Sequence, residues 1–435
     1  MKFLARYKKN PFSRFLKILG PGLITGAADD DPSGIATYSQ AGAQFGYGQL
    51  WTIIFMYPLM TAVQEACARI GAVTGKGIAA AVKDNYSKKM LYAVVALVVV
   101  ANTINIGADI GAMAESMRLI IPLPFFYWAL IFTVFMLSLE LFTSYASYAK
   151  ILKWLALALF AYPVTAIIAG QNWPVVLKAV VVPHIEFDFS FFFILTAVLG
   201  TTISPYMFFW QASEEVEEEI KENRLSESHI KPPRVSKQFI KKIRIDTILG
   251  MLFSELIAFF IIITAASVLN GKGITNIGTA ADAAKALEPL VSTFPNSGLI
   301  AKTIFAAGVV GIGLLAVPVL AGSAAYALSE ALSWREGLHL KIKKAYGFYG
   351  VIIAATLIGF LINFIGIDPI KALVFTAVFN GIAAVPLIFV IIKISGDNKI
   401  MGEYQSGKLS KTLLITTFIV MTTSVILMFV ALLSR

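Results

Sequence analysis

Three consecutive aspartates and a helix-breaking triplet, Asp29-Asp30-Asp31-Pro32-Ser33-Gly34, stand inside an apolar run that extends from Ile18 to Phe45. A run of that length reads as a membrane span. Lipid tolerates carboxylates and broken backbone only where both are buried in protein or line a cavity. The simplest reading is an intramembrane cation site at a break in a spanning helix.

The rest of the chain has the same character. Of its 435 residues 57% are hydrophobic and 14% charged, and the mean hydropathy is +0.77, too apolar for a soluble globular protein. Windows of about 20 apolar residues predict eleven spans, near residues 18–46, 50–72, 90–113, 124–146, 148–170, 190–220, 246–269, 299–328, 347–366, 370–393 and 411–433. The expected fold is an all-α polytopic membrane protein forming one transmembrane domain over residues 1–435.

With the N-terminus inside, the segments 1–17, 69–89, 147–153, 221–244, 335–344 and 393–411 face the cytoplasm and carry 29 of the 36 Lys and Arg. That bias predicts a multi-pass protein of the plasma (inner) membrane, N-terminus cytoplasmic and C-terminus outside. The net charge of +10 then faces anionic lipid and requires no nucleic-acid partner. Met1–Lys17 resembles a signal anchor, but the following span is too long and too acidic for a cleaved leader, so it is expected to be retained. Cys67, the single cysteine, excludes an intramolecular disulfide and a multi-cysteine metal site. No cofactor is expected.

A second interruption, Gly200-Thr201-Thr202-Ile203-Ser204-Pro205-Tyr206, falls in the middle of span six, five spans after the first. Span one enters from the inside and span six from the outside, so matching breaks predict two inverted five-helix halves, residues 1–170 and 190–393. This is the five-plus-five plan of leucine-transporter-type secondary transporters, with a midplane site between discontinuous helices 1 and 6. Helix 11, residues 411–433, is then an addition. The acidic stretch Glu214 to Glu219 reads as a solvated extension of span six.

Half-helix ends leave carbonyls free, here near Ala27 and Ala28 and near Thr201 and Thr202. With Asp31 and the Ser204 hydroxyl they make an all-oxygen set suited to a hard cation. The competing explanation is that an aspartate simply caps the second half-helix, although three adjacent carboxylates exceed that need. Asp29 and Asp30 leave the helix in other directions from Asp31 and are candidates to line the access route. Gly34, Gly42, Gly46 and Gly48, with Gly308, Gly311 and Gly313, read as close helix contacts. Glu140 and Glu255 lie within spans with no evident partner.

Gly20-Pro21-Gly22-Leu23 through Asp31-Pro32, then Ala36-Thr37, Gln40 to Tyr47 and Leu50-Trp51, resemble helix 1 of NRAMP-type divalent metal transporters. Gln64, Ala68-Arg69-Ile70-Gly71 and Thr74-Gly75-Lys76 resemble their helix 2, and Asp368-Pro369-Ile370-Lys371-Ala372-Leu373-Val374 the start of their helix 10. The resemblance implies divalent metal transport centred on Asp31. It also marks departures. The family's ligating asparagine is Gly34 here, and its Met-Pro-His in helix 6 is Ser204-Pro205-Tyr206, which removes a soft thioether. A harder, wetter site leans towards magnesium or manganese, as in NRAMP-related magnesium transporters that also lack the methionine.

The family's proton-coupling positions align with Asn105 and Ala108 in helix 3 and with Tyr206 and Gln211 in helix 6, and the Phe348–Gly359 region holds no arginine. His184, His229 and His339 all fall in loops. Uncoupled or weakly coupled passage is therefore expected, with Asp109, Glu115 and Glu65 as candidates for a rewired route, although Glu115 reads as a partner of Arg118. Asn380, about one turn past Ala377, either compensates for a polar residue that the family carries there or makes an interhelical hydrogen bond. The other class of function is a symporter of the same fold for amino acids or another small solute. No span contains a histidine to activate Cys67 or to hold a catalytic metal, so enzymatic activity is not expected.

Overall fold

The computed structural model describes residues 26, 28–143, 157–221, 225 and 235–434. They form a helical bundle. The principal helices are α1 Pro32–Phe45, α2 Trp51–Thr74, α3 Ile78–Asn85, α4 Lys88–Arg118, α5 Phe125–Phe142, α6 Ala161–Ile168, α7 Trp173–Val181, α8 Phe189–Thr202, α9 Pro205–Lys221, α10 Lys237–Val268, α11 Ser297–Leu332, α12 Tyr346–Ile362, α13 Pro369–Gly396 and α14 Lys408–Leu433.

The boundaries follow from local chemistry. Asp188 accepts from the Phe191 amide at 3.1 Å to start α8, and Ser236 from the Phe239 amide at 3.2 Å to start α10. Asp368 accepts from the Ile370 amide at 2.9 Å, and Pro369 supplies the preset φ of a first helical residue, so the Asp-Pro pair that opens α13 is a helix-start device. Helix α2 stops at Gly75, whose φ of +62° is left-handed and whose amide bonds back to the Gly71 carbonyl at 2.8 Å.

Among the described residues, seven segments are long and apolar enough to cross a membrane: α4, α5, α8 with α9, α10, α11, α13 and α14. The segment 158–181 adds an eighth only if its two parts, bent by 118°, count as one span. The expected fifth span is thus a short helix followed by a sharply turned one, and its first part lies outside the described residues. Helix α12 is apolar but only 17 residues long. Expected span one is represented by α1 and the turn before it; the expected carbonyl of Ala27, the basic segment 1–17 and His229 lie outside the described residues.

Packing places the two breaks at the centre. Helix α1 packs against α10, α9 against α2, and α4 runs along α11. Several approaches are backbone to backbone and need glycine, and two of them flank the breaks. A Cβ on Gly26 would strike the Gly250 backbone of α10, and one on Gly200 would strike the Ala377 carbonyl and the Gly381 backbone of α13. Of the glycines expected to mark contacts, Gly42 sits against the Ile262 carbonyl and Gly313 against Met113 and Pro32, whereas Gly308 has room for a side chain.

The acidic stretch of α9 corrects the reading of a solvated face. Glu215 and Glu219 are buried. Glu217 accepts from the Tyr326 hydroxyl at 2.6 Å and the Leu338 amide at 2.8 Å and pairs with His339 at 2.9 Å; among the resolved pairings only Glu218, with Lys221, behaves as a surface residue. The periodicity of the stretch is compatible with either environment, and the neighbouring α10 and α11 decided it.

Candidate functional site

Asp31 sits where one helix has ended and the next begins. Its backbone is extended, Pro32 occupies the first position of α1, and its Oδ1 accepts from the Gly34 amide at 2.8 Å and the Ser33 hydroxyl at 2.6 Å. The capping alternative is therefore realised, but it uses one oxygen only. Oδ2 accepts from the Asn105 amide of α4 at 2.7 Å. The side chain is buried, and every donor to it is neutral. No lysine or arginine among the described residues neutralises it.

The second break faces the first. Helix α8 ends at Thr202, Ile203 and Ser204 are non-helical, and α9 restarts at Pro205. Three contacts join the breaks: Ser33 Oγ to Thr201 Oγ1 at 3.4 Å, Tyr38 hydroxyl to Thr202 Oγ1 at 2.8 Å, and Tyr206 hydroxyl to the Ala28 carbonyl at 3.1 Å. Gly34 lies between them, 3.4 Å from Thr201 Oγ1 and 3.6 Å from Asp31 Oδ1 as measured from where a Cβ would sit. Asp31, Gly34 and Thr201 are thus neighbours, and Ala28 joins the second break through Tyr206.

Two expected oxygen ligands are already engaged. The Ala28 carbonyl is not free, because Tyr206 donates to it. Ser204 turns its hydroxyl back to the Gly200 carbonyl at 3.0 Å and the Thr201 carbonyl at 2.6 Å, closing the end of α8 with its own donor. Each oxygen retains a lone pair, so a cation could still share them. Among the described residues, no three His, Cys, Asp or Glu side chains are arranged to hold a metal ion, so any cation would rely on backbone, hydroxyl and water oxygens around a single carboxylate.

The remaining candidates separate. Asp109, one turn beyond Asn105 on α4, is fully buried and both its carboxylate oxygens lack a hydrogen-bond partner among the described residues. Asn380 is buried on α13 beside the Gly200–Gly381 crossing, its Nδ2 likewise without one. Gln211 is not directed to the break: its amide donates to Glu215 one turn on, at 3.1 Å. Glu65 is locked by Arg69 and Arg244, at 3.2 and 3.1 Å, and Arg69 also reaches the Tyr404 carbonyl at 2.6 Å. Glu115 pairs with Arg118 at 2.7 Å. Neither of these two glutamates is available as a proton route in this conformation.

Sequence reasoning passed over the side chains of Ser33, Tyr38 and Ser254, and singled out Thr202 for its carbonyl, whereas the structure engages its hydroxyl. Tyr38 had a legible signal, since positions 31, 34 and 38 fall on one face of a helix. Ser254 had none; its hydroxyl donates to Asp29 at 2.8 Å and to Asp30 at 3.2 Å from a helix more than 220 residues away. A separate cavity of about 230 Å³, lined among others by Lys83, Glu217, Tyr326, Glu330, Glu336 and His339, does not include Asp31.

Comparison with known proteins follows the same lines. The family model described as natural resistance-associated macrophage protein-like, Nramp, matches residues 22–431. A manganese transporter of Eremococcus coleocola, in complex with an aromatic bis-isothiourea substituted compound, superposes with a TM-score of 0.74 at 16% identity, covering 97% of this chain and 87% of that one. A nucleobase-cation-symport-1 family transporter with bromovinylhydantoin bound gives 0.58 at 13% identity, covering 95% and 92%. MhsT in complex with L-phenylalanine gives 0.58 at 12% identity, covering 94% and 98%. At these identities the three structures establish a common fold.

Proposed function

This chain belongs to the Nramp, or natural resistance-associated macrophage protein-like, family, and from that premise we propose that it carries a divalent metal cation across the membrane by alternating access, with the cation held at Asp31. The observation that carries the reading is a buried carboxylate, at the meeting point of two helix breaks, that only neutral donors satisfy. Membrane-depth carboxylates without a basic partner mark ion pathways. The fold shared with a manganese transporter supports the same cargo class.

Magnesium or manganese is the favoured cargo. The contacts that join the breaks around Asp31 are made by hard oxygens, and Ser204 stands where the family's helix 6 thioether would be. Coupling to protons is weak or absent in this reading: Gln211, Glu65 and Glu115 are occupied in local pairs, leaving Asp109 as the one buried acid beside the Asn105–Asp31 contact with no hydrogen bond among the described residues. The five-plus-five arrangement, with eleven spans in all, is proposed from the sequence, and reciprocal packing, α1 on α10 and α9 on α2 about the α4–α11 pair, supports its two-fold plan. The N-terminus is proposed to be cytoplasmic and the C-terminus outside, from the distribution of Lys and Arg.

A symporter of the same fold for amino acids or another small solute is the second reading. It draws on the two structural neighbours that hold small organic ligands and on the fact that both Asp31 oxygens already accept hydrogen bonds. Uptake of magnesium, manganese and calcium into proteoliposomes, each with and without a pH gradient, separates the readings when run beside titration with amino acids. Metal flux that Asp31→Ala abolishes supports the first. Amino-acid binding without metal flux overturns it.

A further inference from the structure

Asp29 and Asp30 end the helical turn that precedes the break, and the Gly26–Gly250 backbone contact clamps that turn onto α10. One helical turn beyond Gly250 on α10 stand Ser254 and Glu255. Close approach at the glycines therefore delivers two aspartates to a serine and a third carboxylate. Asp29, Asp30, Ser254 and Glu255 are 2%, 1%, 1% and 3% exposed.

The cluster is short of donors. Its three carboxylates present six oxygens, and the single proton of the Ser254 hydroxyl is shared between Asp29 Oδ2 and Asp30 Oδ1. Asp29 Oδ1, Asp30 Oδ2 and both Glu255 oxygens are buried with no hydrogen-bond partner among the described residues. Each carboxylate lies within electrostatic reach of another: Glu255 of Asp29, and Asp30 of both. Asp31, two residues on, has three neutral donors for its two oxygens. The contrast is sharp, because a cation adds most where anionic oxygens have no other partner.

We propose that Asp29, Asp30, Glu255 and the Ser254 hydroxyl form a second site for a hard divalent cation, distinct from the one at Asp31 and adjoining it on the α10 side. The proposal rests on the reading of the chain as a cation carrier. The carboxylates are not gathered at coordination spacing in this conformation, and binding a cation would have to draw them together. An all-oxygen set with three negative charges suits magnesium, manganese or calcium over a monovalent ion. Tyr38, within reach of all three acids and bonded to Thr202 at the second break, connects this site to the first.

The test counts manganese bound per chain at equilibrium, on the purified full-length protein in lipid nanodiscs, together with melting temperature in chelator and in manganese. Two ions are expected for the wild type, one for Glu255→Gln and one for Asp31→Asn. Glu255→Gln should also melt higher than the wild type in chelator, since the amide replaces one of two partnerless buried oxygens by a donor that the neighbouring acids can accept. A merely structural Glu255 would not combine the loss of one ion with a gain in apo stability. Asp30→Asn, expected to behave alike, serves if Glu255→Gln does not fold. A Glu255→Gln variant that binds as many ions as the wild type overturns the second site; a wild type that binds one ion overturns it when Asp31→Asn abolishes that binding. An Asp31→Asn variant that keeps both ions overturns the Asp31 reading while leaving this one standing.

Discussion

The Asn105 side-chain amide donates to Asp31 Oδ2 at 2.7 Å, joining α4 to the break before α1 across 74 residues of sequence. This bond settles what the carboxylate needs in the cation-free chain. An Asp31 with one bare oxygen would carry an uncompensated buried acceptor, at a cost of about 1–3 kcal/mol. Asn105 removes that cost with a neutral donor, so no basic side chain is needed at the carboxylate.

Asp31→Ala is expected to abolish metal binding and flux. Asn105→Ala should lower stability by about 1–3 kcal/mol and leave metal binding in place, because the freed oxygen remains anionic. Asn105→Asp should make uptake sensitive to a pH gradient by setting a second acid against the first. Proteoliposome uptake and thermal melting measure all three; metal uptake retained by Asp31→Ala would remove the site.

Tyr206→Phe deletes the hydroxyl that ties the second break to the Ala28 carbonyl. Stability is expected to fall by about 1 kcal/mol, and the transport rate to change more than the affinity, since alternating access as proposed would move the two segments this bond joins. Comparing uptake kinetics with equilibrium titration tests this, and an affinity change larger than the rate change would contradict it.

Gly200→Ala places a methyl group against the backbone of Ala377 and Gly381, where no flexible side chain can yield. A loss of about 2–3 kcal/mol, or failure to accumulate folded protein, is expected. Gly308→Ala is the control, with only the Ala158 methyl 3.8 Å from its new Cβ. Equal melting temperatures for the two variants would refute the close crossing of α8 and α13.

Arg69→Ala leaves Glu65 buried with only the half-exposed Arg244 for a partner and strips the Tyr404 carbonyl of its donor. A loss of about 3 kcal/mol is expected. Arg69→Lys should recover only part of it, because an ammonium cannot reproduce the fork that spans Glu65, Tyr404 and Ser406. Full rescue by lysine in thermal melts would argue against the bridging geometry.

Glu336, in the loop after α11, should make stability depend on pH. Burial pushes its carboxyl up to about 10, with the charges of Glu330 and Glu217 adding to the rise and Lys83 opposing it. A carboxyl raised on folding ionises first in the unfolded chain, so its contribution is fully present below the unfolded value and is lost as pH climbs towards the folded one. Glu336→Gln should therefore melt higher than the wild type at about pH 8 and level with it at about pH 4. A difference independent of pH would discount the burial.

Much of the architecture was legible because lipid restricts the choices. Apolar length located seven long helices able to cross a membrane among the described residues, the Asp-Pro pairs at 31–32 and 368–369 marked helix starts, and Pro205 marked the second break. The acidic run on α9 misled because a helical sequence carries no statement about which neighbour will cover it; Tyr326 and Leu338, far along the chain, converted Glu217 from a solvated charge into a bonded one. Ser204 misled for a local reason. A hydroxyl just past a helix end finds the carbonyls of the preceding turn before it finds a ligand.

By itself the amino-acid order determined that this chain is a bundle of membrane helices, that two of them are interrupted, and that a carboxylate stands at the first interruption, since each follows from what hydrocarbon does to charge and to unpaired backbone. Only the tertiary structure decided which groups meet there: Asn105 against Asp31, Tyr206 against Ala28, and Ser254 between Asp29 and Asp30. These pairings span 74 to 225 residues, and contacts at that separation arise from how helices pack, through glycine crossings and side-chain shape, which no local pattern along the chain encodes.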